Sequence, residues 1–244
     1  MLTMMPMAAC DGSNADPILP EQPGQPGNSD GGDEDDSTDP TNPIPGGNGR
    51  YLVLYCSRTG STERMAQQIQ QTLDCDILEV VPQTPYESDY NGMLNRAQEE
   101  LAAIRQGNYP AIKTSVEDFG NYDIVFVGYP IWYGSMATPM QTFLHNHASK
   151  LAGKRIALFA SSGSSGISAS VDEARTLCSG ATFTETLLLT SSTLSQMGNR
   201  IRTWLETLGA SRENNHPSTS MHVKITVGNR TITCLLYTSD AADE

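Results

Sequence analysis

Four hydroxyl side chains and one glycine follow the first apolar run of this chain of 244 residues. The run is 51–56, and the residues after it are Ser57, Arg58, Thr59, Gly60, Ser61 and Thr62. A helix-like stretch, 63–73, comes next. The N–H groups in the first turn of a helix have no partner within the helix and lie at the positive end of its dipole, so they bind phosphate readily. The loop therefore predicts either a phosphate site or an ordinary helix cap made by Ser and Thr.

The composition of this loop favours a single terminal phosphate. It lacks the lysine of a Walker-type loop and the three glycines of a dinucleotide-binding loop. Its hydroxyls offer many hydrogen bonds with little formal charge. Its one cation, Arg58, either contacts the phosphate or points into solvent. Flavin mononucleotide (FMN) is the common redox ligand that ends in such a monophosphate.

Two later loops carry residues suited to a flat aromatic ligand. The residues that follow the apolar run 124–127 include Pro130, Ile131, Trp132, Tyr133 and Gly134. The run 155–160 leads into 161–166, where every residue is Ser or Gly. An aromatic ring in the first loop can stack on a flavin, although large rings are more often buried in a core. The Ser and Gly loop offers backbone N–H groups to a flavin edge, or is a plain linker.

The elements that must position these loops alternate between strands and helices. The apolar runs predict strands at 51–56, 76–81, 124–127, 155–160 and 183–189. Apolar residues at helical spacing, with Pro and Gly near the ends, predict helices at 63–73, 86–106, 138–147, 167–178 and 194–208. Such alternation indicates an α/β protein whose parallel sheet is covered by helices on both faces. The three loops then meet at the carboxyl edge of that sheet, where open α/β folds bind ligands.

With these motifs in order, the chain resembles the flavodoxin family over 50–209. Residues 55–62 match the family pattern Tyr-x-Ser-Arg-Thr-Gly-x-Thr, 128–134 match Gly-Tyr-Pro-Ile-Trp-x-Gly, and 161–166 match a Ser and Gly-rich loop. The resemblance implies a flavodoxin-like five-stranded parallel sheet of order 2-1-3-4-5, with FMN as the ligand. It implies that the phosphate lies on 57–62 and the ring beside 130–134. It implies that the pyrimidine edge of the ring lies near Ser162, Gly163 and Ser164.

The chain departs from the family pattern at two points. Cys56 stands where an aromatic residue is common, and the third loop lacks the second stacking aromatic of electron-carrying flavodoxins. We therefore expect an aromatic contact on only one side of the flavin ring.

The expected function is electron transfer by bound FMN, with no catalytic side chains, because the cofactor carries the chemistry. The redox partner, a protein or a small acceptor, is left open. A reductase that passes electrons from NAD(P)H to a quinone is one alternative. A flavodoxin-like binding module that no longer holds FMN is the other.

The composition of residues 1–49 predicts that this segment is a disordered tether. It contains nine Asp or Glu and no Lys or Arg, and it is rich in Pro, Gly and Ser. This segment accounts for most of the net charge of −13, and 50–233 is close to neutral, so the sequence predicts no nucleic-acid partner.

The residues before Cys10, Met4-Met5-Pro6-Met7-Ala8-Ala9, resemble the end of a bacterial lipoprotein signal. Acylation of Cys10 would anchor the chain outside the cytoplasm, with the membrane contacted only through the lipid. The alternative is a chance cysteine in a Met-rich leader of a cytoplasmic protein.

The C-terminal segments differ in kind from the region 50–209. Residues 210–220 predict a linker, and 221–233 alternate apolar and polar residues around Gly228-Asn229, which predicts a hairpin. This hairpin resembles the first strands of a cyclophilin-like domain and is expected to be truncated. Residues 234–244 match one reading frame of a transposase-type sequencing adaptor, so we expect them to be an artefact.

The cysteines and histidines predict no metal site and no disulfide framework. Cys56, Cys75 and Cys178 are not closely spaced. His145 and His147 are two residues apart on a predicted helix and so do not share a face, which predicts that both are surface residues.

Overall fold

The computed structural model of this chain describes residue 47, residues 49–212, and the backbone of two later segments, 221–227 and 230–236. Cys10, nearly all of the predicted tether and most of the predicted linker lie outside the described residues.

The elements alternate between strands and helices along the chain, as the sequence predicts. In order they are β1 (Tyr51–Tyr55), α1 (Ser61–Leu73), β2 (Asp76–Glu79), α2 (Tyr90–Ile104), β3 (Ile124–Trp132), β4 (Ser135–Met136), α3 (Thr138–His147), β5 (Arg155–Ser162), α4 (Ser168–Leu177), β6 (Thr182–Phe183), β7 (Leu187–Thr190), a 3₁₀ turn (Leu194–Gln196), α5 (Met197–Thr207), β8 (Met221–Val227) and β9 (Arg230–Leu236). The α3 helix has the predicted bounds, with Pro139 in its first turn.

The strands form a parallel sheet in the order β2-β1-β3-β5, with β6 and β7 both paired to the outer edge of β5. The predicted fifth strand is therefore present as two short strands, because the polar residues 184–186 interrupt it. With that one change, the order agrees with the predicted 2-1-3-4-5. An α/β fold with a flavodoxin-like sheet is confirmed.

Each face of the sheet has its own apolar core. Side chains alternate along a strand, so Leu52 and Leu54 face one core and Tyr51 and Val53 face the other. On the first face, α3 and α4 bury residues such as Phe143 against the sheet. On the second face, α1 and α5 do the same. The two layers of helices leave the carboxyl ends of the strands open for loops.

The segment after Gly128 differs from the prediction. The sequence predicts a loop from residue 130, but β3 continues to Trp132 and turns back into β4, which pairs Trp132 with Ser135. Tyr133 and Gly134 form the two-residue turn with positive φ angles of 51° and 80°. Two consecutive positive φ angles are typical of the tight turns that join antiparallel strands.

The start of α2 also differs from the prediction, since the helix begins at Tyr90 rather than at residue 86. Asp89 is its N-cap, and the Asp89 carboxylate accepts a hydrogen bond of 2.7 Å from the N–H of Gly92. Residues 86–89 are therefore a loop that leads into the helix.

His145 lies on the surface as predicted, but the prediction for His147 is wrong, because that side chain is buried. Its Nδ1 donates to the carbonyl of Phe143 at 2.8 Å, and its Nε2 accepts from the N–H of Val116 at 3.2 Å. Burial lowers the pKa of His147, so the ring is neutral near pH 7. The ring therefore ties α3 to the segment before β3.

The β8 and β9 strands pair as an antiparallel hairpin about positions 228–229, with Val227 opposite Arg230. The cyclophilin-like assignment of this hairpin stays a prediction. Within the described ranges, no helix is long and apolar enough to cross a membrane. The same ranges contain no cluster of His, Cys, Asp and Glu suited to a metal ion.

Candidate functional site

The three loops predicted to bind a ligand meet at one edge of the sheet. In the register of the sheet, Tyr55 pairs with Gly128 and Pro130 pairs with Ser161, so β1, β3 and β5 end side by side. A cleft of about 400 Å³ opens there, within the size range of small-ligand sites. The cleft, hereafter the sheet-edge cleft, is lined by Ser57, Arg58, Thr59, Ser61, Thr62, Tyr90, Met93, Leu94, Pro130, Ile131, Trp132, Tyr133, Ser161, Ser162, Gly163, Ser191 and Leu194.

The first loop does not use its hydroxyls to cap α1. The N-cap residue is Gly60, with a φ of 80°, and no side chain bonds to the first turn of the helix. Among the residues that the structure describes, none forms a hydrogen bond with the hydroxyls of Ser57, Thr59 or Ser61. These three hydroxyls and the N–H groups of the first helical turn are thus available to an anion.

Thr62 has a different role from the other hydroxyl residues. Its side chain is only 1% exposed, and its Oγ1 lies 2.8 Å from the Oγ of Ser161, which is also buried. This bond links the loop after β1 to the end of β5, across 99 positions of sequence. The bond therefore fixes the first loop, 57–62, relative to the Ser and Gly loop, 161–166.

The guanidinium of Arg58 is engaged with backbone rather than left free in solvent. Its Nη2 donates to the carbonyls of Glu87, Ser88 and Asp89 at 3.2, 3.0 and 3.2 Å. These carbonyls belong to the loop and N-cap that lead into α2. Arg58 therefore ties the start of α2 to the first loop, a role that the sequence does not predict.

The two adjacent aromatic residues of the second loop are placed differently. Trp132 is half-buried, and its ring meets the ring of Tyr86 edge to face, with centroids 5.1 Å apart. Tyr133 is 51% exposed at the tip of the β3–β4 turn. A positive φ is uncommon for a residue other than glycine, so the fold holds Tyr133 at this position against a backbone preference.

The third loop reaches the cleft with two of the three residues predicted to meet the ligand. Ser162 and Gly163 line the cleft, whereas Ser164 is not among its lining residues. The carbonyls of Ser162 and Gly163 accept from the N–H of Ser191 at 3.1 and 3.4 Å, which supports the loop from the end of β7. Gly60 and Gly134 also do not line the cleft, and both form turns beside it.

The sequence analysis does not identify the contribution of α2 to the cleft. Tyr90 is 64% exposed and lines the cleft from the first position of α2, with Met93 and Leu94 one turn later. Tyr90 and Tyr133 are the two exposed large apolar side chains among the described residues. Both side chains line the same cleft, so α2 adds an aromatic residue to it that the sequence analysis does not predict.

Cys56 behaves as a small apolar residue beside the cleft. The side chain is buried, and burial followed by the charge of Glu79 raises the pKa of its thiol. A neutral buried thiol is a weak nucleophile. Cys56, Cys75 and Cys178 are all buried and free.

Comparison with known proteins gives a consistent set of matches. The model of a family described as Flavodoxin matches residues 50–208. Among solved structures, a candidate flavoprotein from Bacteroides eggerthii DSM 20697 is 32% identical with a TM-score of 0.56, and the match covers 66% of this chain and 98% of that one. A candidate flavoprotein from Bacteroides uniformis ATCC 8492 is 28% identical with a TM-score of 0.54, over 65% of this chain and 99% of that one. A search of curated proteins found no match.

Proposed function

This chain belongs to the flavodoxin family, and from that premise we propose that its sheet-edge cleft binds FMN and that the protein acts in electron transfer. The observation that carries the proposal is the meeting of the three loops at one cleft. The cleft offers free hydroxyls and helix N–H groups from the first loop, together with aromatic side chains from β3 and α2.

The phosphate end of the cleft fits a monophosphate. Ser57, Thr59 and Ser61 would donate hydroxyl hydrogen bonds, and the first turn of α1 would add backbone N–H groups with the positive end of the helix dipole. Hydrogen bonds from several neutral donors suit this site, because the guanidinium of Arg58 already donates to three carbonyls.

The aromatic side chains of the cleft fit a flat ring system. Tyr133 and Trp132 lie on one strand end, and Tyr90 lies on α2, so aromatic surface is available from two elements. The backbone of Ser162 and Gly163 would meet the polar edge of the ring. When bound, FMN supplies the electron chemistry, and these residues hold it and limit the access of water.

Titration of the full chain with FMN tests the proposal. Binding should be saturable at one FMN per chain and should quench the flavin fluorescence, because a ring stacked on tyrosine or tryptophan loses its emission. Riboflavin, which lacks the phosphate, is the matched control ligand and should bind much more weakly. A chain that does not bind FMN after refolding in its presence would contradict the proposal and favour a binding module without FMN.

We also propose that Cys10 is acylated and anchors the chain to the outer face of a bacterial membrane. The proposal is supported by the small residues before Cys10 and by the acidic, Pro and Gly-rich segment after it. Expression in a bacterium with labelled palmitate should label the chain, and Cys10→Ser should abolish the label. Equal labelling of the two proteins would contradict the anchor.

A further inference from the structure

A second cavity of about 390 Å³ lies beside the sheet-edge cleft. It is formed by the ends of β1 and β2, by the loop 80–88, and by residues of β3 and α3. Ser57, Arg58, Pro130 and Trp132 line both spaces, so the two spaces adjoin each other at these residues.

The lining of this second cavity is mainly apolar. The apolar part consists of Val80, Val81, Pro82, Pro85, Tyr86 and Pro139. The rings of Tyr86 and Trp132 meet edge to face at 5.1 Å, which gives the cavity two aromatic surfaces. Such surfaces suit a planar ring.

The charges at the cavity disfavour an anionic ligand. Arg58 is the one cation among the lining residues, all of which the structure describes, and its Nη2 is bonded to three carbonyls. Glu79 and Glu87 add two carboxylates at the exposed side. Burial raises the pKa of the Cys56 thiol, which leaves that residue neutral. The hydroxyl of Ser88, which lines this cavity and not the sheet-edge cleft, is suited to donate a hydrogen bond to a neutral acceptor such as a ring carbonyl.

The outer wall of the cavity is held in place by a connected polar network. The hydroxyl of Tyr86 bonds to the carboxylate of Glu100 and lies 2.7 Å from the hydroxyl of Thr138. Arg96 bonds to the same carboxylate at 2.8 Å and lies over the Tyr86 ring at 4.2 Å. Its two Nη atoms donate to the carbonyls of Thr84 and Pro85 at 2.9 and 2.7 Å. A wall fixed in this way is preorganised, which reduces the entropy lost on binding.

We propose that the second cavity binds a small, neutral, planar ring compound of the quinone class. The apolar lining, the two aromatic rings, the hydroxyl donor of Ser88 and the absence of a free cation among the described lining residues all favour this class. The significance of the site rests on the proposed function, since FMN bound in the sheet-edge cleft would be a neighbour of the quinone, with Trp132 lining both spaces. The binding itself does not require FMN.

The test measures two affinities on the full chain, with FMN and with 2-methyl-1,4-naphthoquinone as the probe. Val81 is half-buried and lines the second cavity but not the sheet-edge cleft. Val81→Phe should reduce the volume of the cavity, and Val81→Lys should bring a charge to it. Each substitution should weaken quinone binding by about tenfold or more, measured by equilibrium dialysis of the FMN-loaded chain. The affinity for FMN should stay within about twofold of the parent value.

Leu188→Phe is the matched control, because Leu188 is a half-buried apolar residue on β7 that lines neither space. It should leave both affinities unchanged. Circular dichroism checks that each variant folds, and the Lys variant remains informative if the Phe variant does not fold. The proposal is overturned if the parent does not bind the quinone saturably, or if both Val81 variants bind it as the parent does. It is also overturned if the Val81 variants lose FMN instead, since the cavity would then belong to the cofactor site. If the parent fails to bind FMN, the proposed function fails, and quinone titration of the cofactor-free chain still tests the cavity.

Discussion

Replacing Thr62 by valine removes one hydroxyl from the contact that links the first and third loops of the site. Valine has nearly the same shape as threonine, so the change leaves no cavity at this buried position. It leaves the hydroxyl of Ser161, a residue only 8% exposed, without its hydrogen bond of 2.8 Å to Thr62. The variant therefore isolates the effect of one buried polar group that has lost its partner.

The expected loss of stability follows from this burial. A typical hydrogen bond contributes about 1 kcal/mol net, but a buried group left without a partner costs about 1 to 3 kcal/mol. We therefore expect Thr62→Val to lower the free energy of unfolding by about 1 to 3 kcal/mol. Ser161→Ala should have a similar effect, because it leaves the Thr62 hydroxyl alone. The double variant should lose much less than the sum of the two, since it leaves neither partner unsatisfied.

The assay is equilibrium unfolding in urea, followed by circular dichroism, for the parent, the two single variants and the double variant. Thr72→Val is a matched control, because the Thr72 hydroxyl is exposed and bonds only within α1. The control should change the free energy of unfolding by less than about 0.5 kcal/mol. Single variants as stable as the control, or a double variant that loses the full sum, would refute the reasoning about this contact.

Three further predictions concern the ligand and pH. Thr59→Ala should weaken FMN binding by about 1 kcal/mol, measured by fluorescence titration, because it removes one free hydroxyl from the phosphate end; an unchanged dissociation constant would contradict the phosphate assignment. Tyr90→Ala should weaken FMN binding by about 1 kcal/mol through lost ring contact. Tyr109→Ala is the control in the same titration, because the Tyr109 ring stacks on His145 and does not line the cleft. This variant should bind FMN as the parent does, and equal affinities of the Tyr90 and Tyr109 variants for FMN would argue against the contact with α2. Because burial lowers the pKa of His147 below its ordinary value of 6.5, the unfolded chain binds more protons at this residue than the folded chain does. The contribution of His147 to stability should therefore be constant well above about pH 6.5 and should fall as the pH drops through that value toward the lower pKa of the folded state. Urea unfolding at several pH values checks this, and His147→Gln should lose that part of the slope; an identical slope in the variant would contradict it.

The sequence predicts the frame of the fold well because the buried strands are continuous apolar runs. It also predicts α3, where a proline at the start and a polar end mark both bounds. The start of α2 is predicted too early, since apolar spacing continues through a loop that ends at the Asp89 cap. Because helix-like spacing already begins at residue 86, the spacing alone does not show that Asp89 caps the helix.

The sequence predicts those parts of the site that depend on neighbouring residues, but not those that depend on distant ones. Local motifs identify the loops after β1 and β5, because each motif lies within a few residues of a strand end. The place of Tyr90 depends on Arg58, 32 positions earlier in the chain, whose guanidinium holds the start of α2. The burial of His147 depends on contacts with Val116 in the same way. Contacts between distant segments leave little trace in the spacing of single residues.

The contribution of Trp132 to the lining of two cavities has a thermodynamic consequence. Trp132 is one of the four residues that line both spaces. A ligand that binds one Trp132 rotamer more tightly than another shifts the rotamer population that the other ligand meets. Linkage requires the effect to be reciprocal: if FMN raises the affinity for the second ligand by some factor, that ligand raises the affinity for FMN by the same factor. A single indole would then act as a coupling element between the cofactor and its neighbour.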